Sequence, residues 1–586
     1  MRYPTLNEIP TSRDIVETFR GYNHNLRISD GEFYDMRNMT SDDYPVLSPR
    51  GKRGVYAAPE NVQGMIAKDS LCYVDGTAFV INGYRVEMGL STEAEDCPKR
   101  LVSMGAYVII LPDKKWVNTL DTTENGNMEA SVTTSTDVSF SLCRIDGDEY
   151  QNVTVSATEP EEPENLALWM DTSTTPHALK QYTEASAMWV TVASTYVKIS
   201  ATGIGKPFET YDGVTISGVL YETLADLNAS MVILAKGDDY IVVAGILDAA
   251  VTQPAEDGAV TVKREMPEMD YVIESENRLW GCRYGVAADG QVVNEIYASK
   301  LGDFKNWNCF MGVSTDSYAA SCGTDGPFTG AITHLGYPLF FKENFVHKVY
   351  GNYPANFQIQ TTACRGVQKG CDRSLAIVNE VLYYKARSGI CVYDGSLPTE
   401  CSYVLGNEAF GSAVAGGIGN KYYVSMEDGA GNWHLFVYDT AKQMWHKEDG
   451  LHVKAFCACR GELYAIQEDT GKILTMLSPG EEPAEDNVEW MAQTGDIGIS
   501  TPDMKYISRI NLRLSLEIGA KLDISAQYDL DSEWVNVGTL YGTSLRSFSI
   551  PIRPRRCDYM KLRLSGYGGM KLYAITKTIQ QGSDLS

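Results

Sequence analysis

A repeat of short strands constrains the fold of this chain more than any other feature of its sequence. Four apolar, aromatic-rich segments begin 42, 41 and 41 residues apart, at Leu339, Val381, Tyr422 and Leu463. The first three are followed by a second strand-like segment containing Val-Tyr, at Val349, Val392 and Val437. A fixed period of roughly 40–50 residues made of short strands is typical of β-propeller blades. One blade exposes two apolar faces that only neighbouring blades can cover, so blades occur in series.

Weaker copies of the strand pair occur upstream and give a predicted β-propeller of about six or seven blades, within the usual range. They begin at Leu71, Ala106 and Arg278. The alternative is a β-sandwich with evenly spaced strands, but three near-equal intervals and the repeated Val-Tyr favour the propeller. The 35 Tyr and 52 Gly, with frequent Val, Ile and Thr, also suit an all-β chain with tight turns.

Changes of composition divide the chain into four predicted regions. An N-terminal arm with the first blades occupies residues 1–124, and one or two inserted small β domains occupy 125–266. The remaining blades occupy 267–478, and a C-terminal β-sandwich occupies 487–586, where apolar residues alternate. An acidic linker with prolines at 159–164 is expected to be mobile or extended, and a second one spans 479–486.

The net charge of −26 argues against a nucleic-acid-binding or anionic-membrane-binding surface. Solubility alone accounts for such a charge, although an acidic wall would also let DNA slide past without a cationic grip. The 13 Cys are scattered in apolar runs, which favours buried thiols over disulfides. The chain opens without an apolar signal core, and no apolar run reaches the roughly 18 residues of a membrane span. We therefore expect synthesis in the cytoplasm and no membrane partner.

Two pairs of segments carry a family resemblance. Residues 276–281 read ENRLWG and 294–307 read NEIYASKLGDFKNW, while 30–39 read DGEFYDMRNM and 44–50 read YPVLSPR. They resemble the β-propeller structural proteins of tailed bacteriophages and prophages, of the packaged-DNA stabilisation (head-closure) or tail-nozzle type. The resemblance is close over residues 270–310 and loose over 1–480. The large insertion departs from the simplest family pattern, so its role stays open.

The resemblance implies a structural virion protein of the neck or tail, with no enzymatic activity and no cofactor. It implies a homo-oligomeric ring, expected to be a hexamer, that contacts the portal, an adaptor or other tail proteins. In that role the ring closes the head and conducts DNA, which transits without sequence-specific binding.

The residues of the blade motif are predicted to be structural. Trp280 and Trp307 are expected to fill the space between blades, because large buried aromatic side chains are most often core. Asp303 is expected to close the turn before Trp307 by accepting backbone N–H bonds, as short carboxylates do. The full predicted set is Asn277, Arg278, Trp280, Tyr297, Asp303 and Trp307.

The sequence gives only weak indications of catalytic or metal-binding sites. There is no phosphate-binding loop, GxSxG or HExxH motif, and no catalytic residue or metal site is predicted. Three histidines and two cysteines lie near one another in the chain without metal-site spacing: His434, His446, His452, Cys457 and Cys459. The segment from Asp428 to Asn432 is better explained as a hairpin turn than as a calcium loop.

Two alternative functions stay open. The first is a receptor- or glycan-binding tail protein, whose stacking rings would be Trp490, Trp534 and Tyr559 of the C-terminal region, although core packing is the simpler explanation for them. The second, less favoured, is a propeller glycosidase, which needs two carboxylates about 5–10 Å apart.

Overall fold

The computed structural model describes residues 11–92, 99–287, 290–500, 504–552 and 555–581. The expected absence of a signal core concerns the first ten residues, which lie outside these ranges. The described residues are almost all in strands or turns, with four short 3-10 helices at Glu222–Leu227, Pro354–Asn356, Asp372–Ser374 and Tyr403–Leu405. The prediction of an all-β fold is confirmed. No helix in the described ranges is long and apolar enough to cross a membrane.

Within the described residues, seven four-stranded sheets have the strand order of propeller blades. We number them blade 1 to blade 7 by the chain order of their first three strands. Blade 1 consists of Val62–Ala67, Leu71–Asp75, Ala78–Ile81 and Tyr84–Glu87. Blade 2 consists of Arg100–Met104, Tyr107–Leu111, Lys115–Asn118 and Asn125–Asn127. Blade 3 consists of Tyr271–Ser275, Arg278–Val286, Val292–Ala298 and Tyr318–Ser321. Blade 4 consists of Gly330–His334, Tyr337–Lys342, Phe345–Tyr350 and Gln358–Ala363, and blade 5 of Ala376–Val378, Val381–Ala386, Gly389–Tyr393 and Thr399–Glu400. Blade 6 consists of Ala413–Ile418, Lys421–Glu427, Trp433–Asp439 and Met444–Lys447. Blade 7 consists of Val453–Cys459, Glu462–Gln467, Ile473–Thr475 and Gly54–Ala57.

The segments found from the repeat occupy equivalent places in these sheets. Leu339, Val381, Tyr422 and Leu463 all lie in the second strand of a blade. The three upstream copies likewise supply second and third strands, in blades 1, 2 and 3. Seven blades agree with the predicted number.

Two-residue turns join the first and second strands of several blades. In blade 5, Val378 pairs with Val381, and the turn residues Asn379 and Glu380 have φ of 50° and 65°. Positive φ at both central positions defines the turn whose twist matches that of the flanking strands. This local geometry sets the register of each hairpin.

The chain forms two compact units. Unit 1 contains Met1–Lys99, Phe341–Val346 and Thr362–Ser586, and unit 2 contains Arg100–Phe340 and His347–Thr361. Blades 1, 5, 6 and 7 belong to unit 1, blades 2 and 3 belong to unit 2, and the strands of blade 4 are divided between them.

Neighbouring blades cover one another's apolar faces within each unit. In unit 1, Leu463 and Leu474 of blade 7 pack with Val437 of blade 6, and blade 7 also packs against blade 1. In unit 2, Ile109 of blade 2 packs with Leu279 of blade 3. Each fully buried aliphatic side chain contributes about 1.5–3 kcal/mol to folding, so these interfaces are the core of the propeller-forming region.

Blade 7 is completed by a strand from the other end of the chain. Gly54–Ala57 pairs antiparallel with Ile473–Thr475, and the Gly54 N–H also donates to Thr475 Oγ1 at 3.0 Å. A Cβ at Gly54 would lie 2.2 Å from the Pro479 carbonyl oxygen, so this position requires glycine. The linker 479–486 is held here as well, because Val55 N–H donates to the Glu482 carbonyl and Ala484 N–H to the Arg53 carbonyl.

A network of ion pairs lies beside the pairing of Gly54–Ala57 with Ile473–Thr475. Arg53 donates to Glu448 at 2.5 Å and to Asp449 at 2.7 Å, and Arg50 forms a two-pronged pair with Glu485 at 2.5 and 3.0 Å. The side chains of Arg50, Arg53 and Glu448 are only 4–6% exposed. Burial alone would raise the pKa of Asp449, but Arg53 and Arg50 outweigh it and hold that pKa below its ordinary value.

The C-terminal strands form a nine-stranded sheet together with three strands of the N-terminal arm. The long strand Lys505–Tyr528 pairs with Met570–Gln581 through its first half and with Met560–Tyr567 through its second half. The remaining strands are Thr11–Val16, Gly21–Tyr22, Glu32–Arg37, Glu489–Thr494, Val535–Ile550 and Arg556–Cys557. The region predicted as a separate sandwich at 487–586 therefore shares its sheet with the start of the chain. A further strand pair joins Met39–Thr40 to Ser48–Pro49.

The insertion begins after the last strand of blade 2 and contains three sheets. Two of them enclose one core that includes Phe140, Ile199, Val214 and Val262. Their strands are Val138–Cys143, Tyr196–Ser200, Ala235–Gly237, Tyr240–Ala244, Val251–Gln253 in one sheet and Ala130–Thr133, Gly213–Ser217, Ser230–Val232, Thr261–Arg264 in the other. The third sheet, Val153–Ser156, Leu168–Asp171, Ala178–Thr183 and Met188–Thr191, contains the linker 159–164 in the loop after its first strand.

The ion network gives the first prediction. Arg53→Met leaves the buried Glu448 and the half-buried Asp449 with one cation fewer, so the free energy of unfolding should fall by about 3–5 kcal/mol. Denaturant unfolding followed by tryptophan fluorescence measures this. The control is Arg37→Met, which removes an exposed pair with Glu489 at 3.7 Å and should change stability by less than about 1 kcal/mol. Equal effects of the two substitutions would contradict the assigned role.

Candidate functional site

The blade 3 motif is built around a buried arginine. Arg278 is 2% exposed, and its guanidinium donates to the carbonyl oxygens of Ser299, Asp316 and Ser314 at 2.8, 2.5 and 2.9 Å. The Phe357 ring lies 5.7 Å from its central carbon. Burial lowers the pKa of this guanidinium. The side chain thus joins the hairpin to the loop 299–316, and its donors are engaged with backbone rather than directed to solvent.

The loop itself is held by short carboxylates. Asp316 accepts the N–H groups of Met311, Gly312 and Val313 at 2.6, 2.6 and 3.1 Å. Asp303 accepts the Lys305 N–H at 3.1 Å, and burial raises the pKa of its carboxyl. Both carboxylates fix backbone turns, which is the part expected for Asp303.

The remaining motif residues lie in turns and apolar contacts. Asn277 has φ of 58° in the two-residue turn before Arg278, and its carbonyl accepts the Gly302 N–H at 2.9 Å. Trp280 meets Phe357 edge-on at 5.0 Å, between blades 3 and 4. Trp307 lies in the core between blades 2 and 3, where the half-buried Tyr297 also packs. Burial raises the pKa of the Tyr297 hydroxyl.

Asn306 attaches the insertion to this motif. It is fully buried, its Oδ1 accepts the Gly213 N–H at 3.0 Å, and its Nδ2 donates to the Tyr211 carbonyl at 2.7 Å. Between those two residues, Asp212 pairs with Arg264 at 2.5 Å, and both side chains are at most 5% exposed. Sequence reasoning assigned no part to Asn306, although its place immediately before Trp307 was the available signal.

The histidines and cysteines near the C-terminal blades do not converge. His434 bonds Asp428 at 2.9 Å across a hairpin turn, and His452 stacks on Trp433 at 3.8 Å. His446 is buried, and neither ring nitrogen has a hydrogen-bond partner among the described residues. Within those residues no group of three or more His, Cys, Asp or Glu side chains has a metal-binding arrangement.

The three rings considered for glycan stacking differ in access. Trp490 is 1% exposed and its indole N–H donates to the Gly568 carbonyl at 2.8 Å, so it has no free face for a sugar. Trp534 has one face covered by the Arg563 guanidinium at 3.9 Å. Tyr559 is half-buried, and burial raises its pKa. Trp490 is therefore a core residue and not a stacking ring, whereas stacking by Trp534 and Tyr559 stays a prediction.

An open cavity of about 570 Å³ lies in unit 1 beside blade 5. Charged side chains of both signs line it, namely Lys385, Arg387, Glu400 and Glu408, and the exposed ring of Tyr403 stands at the same cavity. Lys385 is 2% exposed and bonds Gln368 at 2.7 Å, and burial lowers the pKa of its ammonium. This mixture of hydrogen-bonding groups and an aromatic ring suits a neutral polar ligand.

Asn306 gives the second prediction. Asn306→Ala leaves the buried Gly213 N–H unpaired, which should cost about 1–3 kcal/mol. Hydrogen exchange of the Gly213 amide should become faster than in the wild type. Asn125→Ala is the control, because the Asn125 side chain is exposed on the outer strand of blade 2 and donates to the Thr122 carbonyl. Unchanged protection of Gly213 would contradict the anchoring role.

His446 gives the third prediction. Burial first, then Lys421, lowers its pKa to about 3 from an ordinary value of 6.5, so the unfolded chain takes up the proton first as the pH falls. Stability should therefore be lost as the pH falls from about 6.5 towards 3, at up to about 1.4 kcal/mol per pH unit.

A His446→Met variant isolates this effect. Its unfolding free energy, measured at intervals between pH 7 and pH 5, should vary less with pH than that of the wild type. Asn125→Ala, which removes no titratable group, should keep the wild-type dependence. Parallel curves for the wild type and His446→Met would refute the prediction.

Comparisons with known proteins show remote likeness only. No family model matches the chain, and no curated protein matches it. Among solved structures it is similar to Chaetomium thermophilum Raptor, at 12% identity and a TM-score of 0.24, over 50% of this chain and 26% of that chain. It is also similar to an exo-β-1,3-galactanase from Phanerochaete chrysosporium, at 7% identity and a TM-score of 0.20, over 52% of this chain and 94% of that chain. A third similar structure is Trypanosoma rangeli sialidase, at 8% identity and a TM-score of 0.18, over 89% of this chain and 96% of that chain. Likenesses of this size say nothing about what the chain binds or catalyses.

Proposed function

We propose that this chain is a structural virion protein of a tailed phage or prophage, a ring-forming head-to-tail connector or tail hub that closes the head and conducts DNA. The observation that carries the proposal is that the residues of the blade motif make structural contacts. The residues with the closest family resemblance hold backbone and neighbouring blades: Arg278 binds three carbonyls, and Trp280 and Trp307 fill blade interfaces. A rigid scaffold is what such contacts produce.

The charge of the chain supports the same role. A net charge of −26 gives phosphates no cationic grip, so DNA can pass without being held. The insertion, anchored to the blade motif through Asn306, is a further surface for neighbouring virion proteins. The expected assembly is a homo-oligomeric ring, with a hexamer as the first expectation, in contact with portal, adaptor or other tail proteins.

The test is the composition of purified particles. Density-gradient-purified virions from the induced prophage or phage should contain this protein at the copy number of a ring, and immunogold labelling should mark the neck or tail. Its absence from particles would overturn the proposal. Negative-stain images of the purified protein then measure the ring's symmetry.

The cavity beside blade 5 favours a second candidate, a glycan-binding tail protein. The exposed ring of Tyr403 offers stacking to a sugar, and Arg387, Glu400 and Glu408 offer hydrogen bonds. A glycan array should then show a ligand whose binding is lost in Tyr403→Ala and kept in the control Tyr84→Ala, another exposed tyrosine of unit 1. Chromogenic glycosides, with Glu400→Gln and Glu408→Gln as controls, test the glycosidase alternative.

A further inference from the structure

One face of the nine-stranded sheet in unit 1 carries a group of arginines. Arg509 and Arg513 lie four positions apart on the strand Lys505–Tyr528, and an even spacing within a strand places both on the same face. The pairing of this strand with Met570–Gln581 has no register shift between the two positions. Both arginines are exposed, so they stand on the solvent side of the sheet.

A third arginine lies on the same side. Arg556 is opposite Tyr506 on the long strand, and Tyr506 is in turn opposite Gln580. Gln580 lies two positions from Thr578, which is the partner of Arg509. The rows of Arg556 and Arg509 therefore face the same way, and Arg556 is exposed as well.

We call Arg509, Arg513 and Arg556 the arginine face. None of the three guanidiniums has a hydrogen-bond, ion-pair or ring partner among the residues that the structure describes. The side chains between and beside them are uncharged and hydrogen-bonding: Tyr506, Asn511, Ser547, Ser549, Thr576, Thr578 and Gln580. Arg13, opposite Thr578, adds a further positive charge. This area is therefore cationic in a chain whose net charge is −26.

The chemistry of the arginine face fits a segment with several carboxylates. A guanidinium can bind a carboxylate through two parallel hydrogen bonds. An isolated surface ion pair contributes little, whereas several charges that act together contribute more. A flat face with three unpaired guanidiniums therefore requires a partner that brings several carboxylates at once.

The linker 159–164 has this composition. It reads EPEEPE, and its four glutamates are all exposed and have no partner among the described residues: Glu159, Glu161, Glu162 and Glu164. The other acidic linker, 479–486, is already engaged in unit 1, because Glu485 pairs with Arg50 at 2.5 Å. The carboxylates of 159–164 are thus available to a second molecule.

The dimensions of the two surfaces agree. Four residues at the strand rise separate Arg509 from Arg513 by about 13 Å. The segment from Glu159 to Glu164 can span at most about 17 Å. Its glutamates can therefore reach more than one guanidinium of the arginine face at the same time.

We propose that the arginine face of one copy binds the linker 159–164 of a second copy. Two different surfaces make a head-to-tail contact, which generates a ring when the rotation between copies closes. Once covered by the linker, the guanidiniums are no longer available to DNA phosphates. The inference rests on the proposed function only in identifying the closed assembly with the connector ring.

Reversal of the charges tests the contact. Arg509→Glu with Arg513→Glu reverses the face, and Glu159→Arg with Glu161→Arg reverses the linker. In sedimentation velocity at low salt, the wild type should form assemblies at multiples of the 64.6 kDa chain mass, and high salt should dissociate them. Each reversed variant alone should sediment as a single chain.

Assembly should return when the reversed charges are combined. An equimolar mixture of the two variants restores opposite charges at every contact between copies, and so does one chain that carries all four substitutions. Both should therefore assemble like the wild type. Circular dichroism verifies that every variant is folded.

Two matched controls reverse exposed charges elsewhere in the same units. They are Arg27→Glu with Arg460→Glu in unit 1, and Glu256→Arg with Asp257→Arg in the insertion, and both should assemble like the wild type. Assembly of either reversed variant alone, or no recovery in the mixture and the combined chain, would overturn the inference.

A wild type that stays a single chain at low salt would also overturn the inference. If that single chain bound a duplex DNA oligonucleotide, and Arg509→Glu with Arg513→Glu abolished the binding, the face would be a phosphate-binding surface instead. Detection of the protein in virions decides the proposed function separately.

Discussion

The pairing of Gly54–Ala57 with Ile473–Thr475 is the constraint on which unit 1 depends. Without it, blade 7 would have three strands and an open edge. Gly54 allows the close approach to Pro479, and the buried network of Arg50 and Arg53 stands beside it. Burying that many charges contributes little net stability, but misaligned strands would leave them unpaired, so the network favours one register.

The blades were predictable from the sequence because their second and third strands are local and apolar. The segments at Leu339, Val381, Tyr422 and Leu463 carry both the strand pattern and the period, and each lies in the same place within its sheet. The closing strand had no such signal. It has four residues, and Gly54 lies 421 positions from its partner Thr475, so only the folded chain brings the two together.

The residues of the candidate site could be identified from the sequence, but the groups that they contact could not. The sequence identified Arg278, Trp280 and Trp307, and the turn at Asp303 follows from local chemistry. What Arg278 and Asn306 bind depends on the paths of the loop 299–316 and of the insertion, and neither path has a periodic pattern. The same limit applies to the C-terminal sheet, whose alternation was plain while its three partner strands from the N-terminal arm were not. The cavity beside blade 5 combines residues that lie far apart in the chain, from Asn25 to Met426, so no linear motif marks it.

The two strands that complete blade 7 are synthesised at very different times. Gly54–Ala57 leaves the ribosome long before Ile473–Thr475 exists, and through that interval its apolar edge has nothing to pair with. A nascent chain can assemble blades 1 to 6 in succession, but the last blade waits for both ends. A chain cut short before residue 473 would therefore leave Gly54–Ala57 without its partner strand and the outer edge of Glu462–Gln467 open, and such exposed edges are recognised by chaperones or lead to aggregation.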